Sequence, residues 1–202
     1  MFIEQPTIIM RWIWHGLWRR KVAGKRQIYL TFDDGPCPET TPQLLDILDR
    51  NGVKATFFCV GDNVRKFPEL FAELQRRGHH VGNHTMHHLK GFRTSRQAYI
   101  DDVVEANRYI GSTLMRPPYG RIKWSQLWHS QRHYTVVFWD VITRDYNRNL
   151  SPERVCGIVR RYARNGSIIV FHDSKKAAPN MLAAIQPTID FLKSEGYEFA
   201  LL

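Results

Sequence analysis

No run of about 18 apolar residues occurs in this 202-residue chain, so no segment is predicted to cross a membrane as a helix. The first twenty residues, MFIEQPTIIMRWIWHGLWRR, offer only residues 6–10 as an apolar run before charge interrupts. They lack the hydrophobic core of a secretory signal, and no cleaved export signal is evident. Cysteine is scarce: Cys37, Cys59 and Cys156 are odd in number and widely spaced, which excludes a disulfide framework and a C-x-x-C zinc knuckle. That usage is compatible with a reducing compartment. No repeat, low-complexity stretch or Gly/Ser/Pro linker divides the chain. Acidic residues are in deficit, 19 against 29 Lys and Arg, leaving a formal charge of +10. Such a balance favours an anionic partner or a solvated basic surface. No RNP, helix-turn-helix or zinc-finger pattern accompanies it, so nucleic acid is not an expected partner. A 43% hydrophobic content with 12% aromatic residues is enough for one folded domain and excludes a disordered tail or a collagen-like fibre.

Short β-rich runs alternate with helical stretches. Strands are predicted over residues 28–32 (IYLTF), 55–60 (ATFFCV), 80–83, a few residues ending at Arg116, 135–139 (TVVFW), 167–171 (SIIVF) and 198–201. Helices are predicted from Thr41 to Asn51, then over 68–77, 94–111, 123–131, from the Ser151-Pro152-Glu153 start, and over 179–193. About seven strands with intervening helices predict an α/β fold with a parallel sheet or barrel. The domain is read as residues 27–202, preceded by a basic, Trp-rich segment over residues 1–26. There Arg11, Arg19, Arg20, Lys21, Lys25 and Arg26 interleave with Trp12, Trp14 and Trp18. Two readings fit: an interfacial segment making peripheral membrane contact, or a helix that packs its tryptophans against the domain.

Polar residues that break the pattern fall at strand ends. Asp33 and Asp34 follow the first strand, His84 and His88 the third, Arg116 the fourth, Asp145 lies beyond the fifth, and His172-Asp173 follows the sixth. In α/β barrels these ends converge on one face, where active sites are built, so the chain is read as an enzyme. His84 and His88 stand at i and i+4, a spacing that puts two imidazoles on one side of a helical turn. The adjacent carboxylates repel, and a metal cation relieves that repulsion. Two His and one carboxylate leave open positions, as in catalytic zinc sites, and the same set also suits ferrous iron. Hydrolysis is favoured, because nothing marks an oxygen or 2-oxo-acid site. One Asp then serves the metal and the other acts as general base, while His172 protonates the leaving group and Arg116 orients a carboxylate.

TFDDGP (residues 31–36), HTMHH (84–88), RPPYG (116–120), WDVITRDY (139–146) and IVFHD (169–173) occur in the order of the five motifs of polysaccharide deacetylases. The chain resembles that family, the NodB-homology domain of carbohydrate esterase family 4, over roughly residues 27 to 202. The resemblance implies a distorted (β/α) barrel that removes N-acetyl groups from N-acetylhexosamine polymers of peptidoglycan or chitin type. It implies that Asp34, His84 and His88 bind the metal, usually Zn2+, with Asp33 as base and His172 as acid. Arg116 would hold Asp33, and the Tyr119 backbone N–H would help bind the oxyanion. Trp139 would line the acetyl or sugar pocket, or else be a core Trp at a strand end. His87 falls at a variable position. Two departures stand out. Ile142 replaces the Asp that in the family tunes the catalytic His, with Tyr146 in place of the motif's Trp, and Val170 replaces a Leu. Either Asp140 or Asp145 is expected to supply the missing carboxylate, Asp145 first. A carbohydrate-binding pseudoenzyme is the competing reading, which the full set of Asp33, Asp34, His84, His88 and His172 argues against. The family leads one to expect the cell envelope, although the sequence shows no signal for it.

Overall fold

The structure, a computed structural model, describes residues 4–202. Its strands are β1 (Gln27–Asp34), β2 (Thr56–Cys59), β3 (His80–Asn83), β4 (Leu114–Met115), β5 (Thr135–Val136), β6 (Val141–Ile142), β7 (Ile168–His172) and β8 (Glu198–Phe199). They lie in the order β5-β4-β3-β2-β1-β7-β6, with β8 on the start of β1. Every pairing is parallel. The sheet curls into an open (β/α) barrel with seven strands along its path, as expected. Parallel strands covered by crossover helices are buried on both faces, which is why β1, β2 and β7 read as near-continuous apolar runs. Phe32 stacks against Phe57 of the neighbouring strand at 5.1 Å between ring centroids, at the centre of the main core.

The helices follow their start and stop signals. They are α1 (Ile8–Ile13), α2 (Thr41–Arg50), α3 (Gly61–Lys66), α4 (Pro68–Arg76), α5 (Arg96–Ile110), α6 (Trp124–Ser130), α7 (Pro152–Tyr162) and α8 (Ala178–Ser194). The Ser95 and Ser151 hydroxyls accept the backbone N–H groups of Ala98 and Arg154, capping α5 and α7. Gly111 ends α5 in the left-handed conformation. Sequence periodicity did not reveal α3, whose six residues are too few to repeat an apolar stripe, and the helix considered for residues 1–26 is confined to the six residues of α1.

The run 135–139, predicted as one strand, divides. Val136 ends β5 at one edge of the sheet, the chain crosses the opening, and Val141 begins β6 at the other edge. Residues 14–18 of the N-terminal segment, the leader, lie in that seam. Leu17 bridges Val137, donating its N–H to the Val136 carbonyl and accepting from the Phe138 N–H. Trp18 is buried and stacks on Phe138 at 4.3 Å. Trp14 stacks on Trp124 of α6, whereas Trp12 faces solvent. Two of the leader's tryptophans thus pack against the domain, as one of the two readings expects, and the third faces outward. No helix of the described residues is long and apolar enough to cross a membrane.

Candidate active site

Strand β1 carries two aspartates at its end because its register places them beyond the last core residue, Phe32. Asp34 adopts a positive φ of 82°, a conformation costly for a residue with a Cβ. The His84–His88 segment was predicted as a helical turn. It is instead an irregular loop after β3, with positive φ at Thr85 and His88. These left-handed residues achieve by a tight bend the convergence that a helix would give by its repeat. His88 Nε2 lies 3.3 Å from Asp34 Oδ1 and His84 Nε2 3.8 Å from it. One donor atom from each of the three residues lies within 4.8 Å of the others.

His84 is fixed from behind. Its Nδ1 lies 2.8 Å from the Arg116 carbonyl oxygen, which can only accept, so Nδ1 carries the proton and Nε2 presents a lone pair to Asp34. Burial drives the His84 pKa down to about 4 and keeps the ring neutral. Asp34 is held below the usual carboxylate range: burial opposes this, but the His88 contact and the nearby imidazoles outweigh it.

Asp33 points to the other side. Arg116, wholly buried, donates from NH1 to Asp33 Oδ1 at 2.6 Å and to the Thr31 hydroxyl at 2.8 Å. Its remaining nitrogens donate to the Val137 and Phe138 carbonyls, so the stretch that closes the barrel seam also fixes the guanidinium. A buried cation with every group satisfied is a rigid holder for one carboxylate. Thr31 went unnoticed in the sequence, where it reads as an ordinary strand residue.

His172 ends β7 opposite the imidazole pair. Asp145 reaches it twice, with Oδ1 2.7 Å from the His172 Nδ1 and Oδ2 accepting the His172 backbone N–H at 2.7 Å. Burial alone would lower the His172 pKa, but the Asp145 charge and hydrogen bond, with help from Asp34 and Asp33, push it up to about 9. Asp145 thus fills the place left by Ile142, which lines the cleft. Asp140 does not: its carboxylate accepts from Arg11, Arg164 and Ser167 and ties the leader to the seam. Tyr146 packs edge-on to His172 at 4.8 Å, keeping an aromatic wall where the motif has Trp.

A family model described as polysaccharide deacetylase matches residues 20–136, more than half of the chain. The chain belongs to the polysaccharide deacetylase family.

Among its relatives, a peptidoglycan-N-acetylglucosamine deacetylase of Bacillus cereus is 34% identical over 186 residues, covering 88% of this chain and 67% of that protein. A chitooligosaccharide deacetylase of a Bradyrhizobium species is 38% identical over 162 residues, covering 75% of this chain and 73% of that one. The crystal structure of a peptidoglycan N-acetylglucosamine deacetylase superposes with a TM-score of 0.87 at 32% identity, covering 96% of this chain and 94% of its own.

In this polysaccharide deacetylase the converging residues open on a cleft of about 770 Å³. Tyr119, at a positive φ of 59°, lies with its ring 4.6 Å from His88 at the mouth. Trp139 lines the cleft, and its indole N–H is buried with no hydrogen-bond partner among the described residues. A Cβ on Gly120 would come within 2.3 Å of that ring, so glycine is required there for space as well as for its φ of 64°. His87 is turned away, pairing with Asp102 at 2.6 Å. Beyond the motif residues, Met10, Trp14 and Trp18 of the leader form one wall. The tryptophan-rich composition was the only sequence signal for that role.

Asp173 supports the site from below. It is fully buried, and the Thr40 and Thr41 hydroxyls donate to its two carboxylate oxygens. Burial pushes its pKa up to about 7 despite those bonds. Its N–H donates to the Asp33 carbonyl at 2.7 Å, and a Cβ on Gly35 would meet its carboxylate at 2.3 Å. The loop after β1 is therefore seated directly on β7.

Proposed function

We propose that this protein is a metal-dependent hydrolase that removes N-acetyl groups from N-acetylhexosamine polymers, peptidoglycan ahead of chitin-type oligosaccharides. One observation carries the reading. Three metal-type donors share one cleft with two separately supported acid–base groups, Asp33 on Arg116 and His172 on Asp145. A sugar-binding site without turnover has no need for either supported group.

The donors fit a divalent cation. Two imidazole nitrogens and one carboxylate oxygen, with His84 held in the ligating tautomer and one side open to the cleft, are the set of a catalytic zinc site. Zinc is therefore the metal proposed for Asp34, His84 and His88. Bound there, it would polarise an amide carbonyl and acidify water. Asp33, kept oriented by Arg116, takes the proton from the attacking water as oxygen bonds to the acetyl carbon. The Tyr119 backbone N–H serves as a donor for the oxygen that gains charge. When the C–N bond breaks, His172 passes its proton to the sugar nitrogen, giving acetate and a free amine. Trp139 offers its unpartnered indole N–H and apolar face to the acetamide.

Relatives named for peptidoglycan and chitooligosaccharides support that substrate class. Lys90, Arg121, Arg144 and Lys176 also line the cleft, where Asp33 and Asp34 are its acids, and this suits a glycan with carboxylate groups. Such a substrate places the work at the cell envelope. The test is acetate release from defined chito-oligomers and from peptidoglycan, with zinc or with chelator, products being assigned by mass. Zinc-restored release supports the reading. Binding without release, in the presence of zinc, would favour a carbohydrate-binding pseudoenzyme. His84→Ala should abolish both tight zinc binding and release while the domain stays folded.

A further inference from the structure

The short helix α1 has two faces of opposite use. Met10 lines the catalytic cleft and Arg11 is tied to Asp140. The other face presents Ile8, Ile9 and Trp12, exposed by 84%, 68% and 79%. Phe92 and Tyr119 stand exposed on the cleft lining as well. Branched aliphatic side chains in water are costly, and nothing among the described residues covers them.

The surrounding charge identifies the occupant. Lys90, Arg121 and Lys176 are exposed cations of the same cleft mouth, and Arg121 has no ion-pair partner among the described residues. The whole chain carries +10, so a second copy would be repelled and an anionic surface attracted. The rings of Trp12, Phe92 and Tyr119 serve a sugar or a bilayer alike, but Ile8 and Ile9 give a sugar neither an aromatic face nor a polar group, and with the indole they suit the boundary between lipid headgroups and acyl chains. The cations of residues 20–26 do not belong to this face. They precede β1, at the end of the strand opposite Asp33 and Asp34.

We propose that the mouth of the cleft docks on an anionic lipid bilayer through the Ile8, Ile9 and Trp12 face of α1, with the cations at the mouth attracting the headgroups. Apolar insertion and electrostatic attraction are each marginal alone, and together they give stable, salt-sensitive binding. The docking holds α1, and with it the Met10 wall, beside the membrane, so the cleft receives a glycan presented at the lipid surface.

The full chain should co-sediment with vesicles containing phosphatidylglycerol and much less with phosphatidylcholine alone. Ile8→Ser/Ile9→Ser/Trp12→Ser should weaken binding tenfold or more with an unchanged melt. Lys90→Gln and Arg121→Gln should each weaken it roughly fivefold, the worth of one cation near such a surface. Brominated lipid should quench a fluorescence component that Trp12→Phe removes. Equal binding to both vesicle types, or an undiminished triple variant, overturns the proposal. So does a dimer that the triple variant dissociates, which would make the face a contact between copies. Loss of chito-oligomer binding in that variant, with vesicle binding intact, would make it a sugar platform. These readouts need no deacetylation and stand apart from the catalytic reading.

Discussion

Replacing Asp145 by Asn tests how this protein supports its acid. His172 must be protonated to give its proton to the sugar nitrogen, so the alkaline limb of kcat/KM follows its pKa, about 9 in the intact protein. At pH 7.5 such a group is ~97% protonated. The Asp145→Asn side chain keeps the shape and its oxygen can accept the Nδ1–H, but its NH2 cannot accept the His172 backbone N–H, and the charge that opposes burial is gone. The imidazole should then fall below its ordinary value of 6.5. At pH 7.5 no more than ~9% is protonated, so kcat/KM falls about tenfold or more and its alkaline limb moves down by about 2.5 units or more. A cation on Asp34 would cancel that carboxylate's help to His172, which leaves Asp145 as the main support. Asp140→Asn serves as the control and should leave the limb in place, because Asp140 is occupied by Arg11, Arg164 and Ser167. The same shift enters folding. A pKa raised in the folded state contributes stability that is complete below about 6.5 and lost as pH rises through about 9. Wild-type protein should therefore lose up to roughly 3 kcal/mol across that window, and Asp145→Asn should lose none of it. An alkaline limb unmoved in Asp145→Asn would show that His172 works without its carboxylate and refute the reasoning.

Three further outcomes follow from the other supports. Asp33→Asn should keep zinc bound, by calorimetry, while turnover drops about 10²–10⁴-fold, the usual worth of a general base; metal loss equal to that of Asp34→Asn would contradict the division between the two aspartates. Arg116→Met leaves the Asp33 charge buried and unpaired, so the urea midpoint should report a loss of about 3–5 kcal/mol. Adding Asp33→Asn to that variant should recover part of it, and no recovery would assign the loss to packing instead. Gly35→Ala forces a methyl group into the Asp173 carboxylate and should cost about 1–3 kcal/mol, read by thermal melts, with acetate release reduced because the β1 end is displaced.

The motif residues are legible in the sequence because strand-end chemistry is local in it. Asp33-Asp34, His84 with His88, Arg116 and His172 each terminate or follow a short apolar run, and the parallel (β/α) repeat brings such ends to one face. Which aspartate faces the imidazoles was not readable from the pair itself. It depends on the positive φ at Asp34 and on Arg116 arriving from β4 to claim Asp33. The partner of His172 was narrowed by sequence to Asp140 or Asp145. Only the fold decided between them, since Asp140 is turned toward the leader's Arg11 and the Arg164 loop while Asp145 faces β7. The run 135–139 looked like one strand because local hydrophobicity cannot tell a strand from a crossing between two sheet edges. The leader marks the limit most plainly. Its sequence offers tryptophans and cations in alternation, which suits a buried stripe and an interfacial one alike. Tertiary packing placed Trp18 on Phe138, Trp14 on Trp124 and Trp12 in water, because burial depends on what the rest of the chain brings to each face, and no local pattern carries that information.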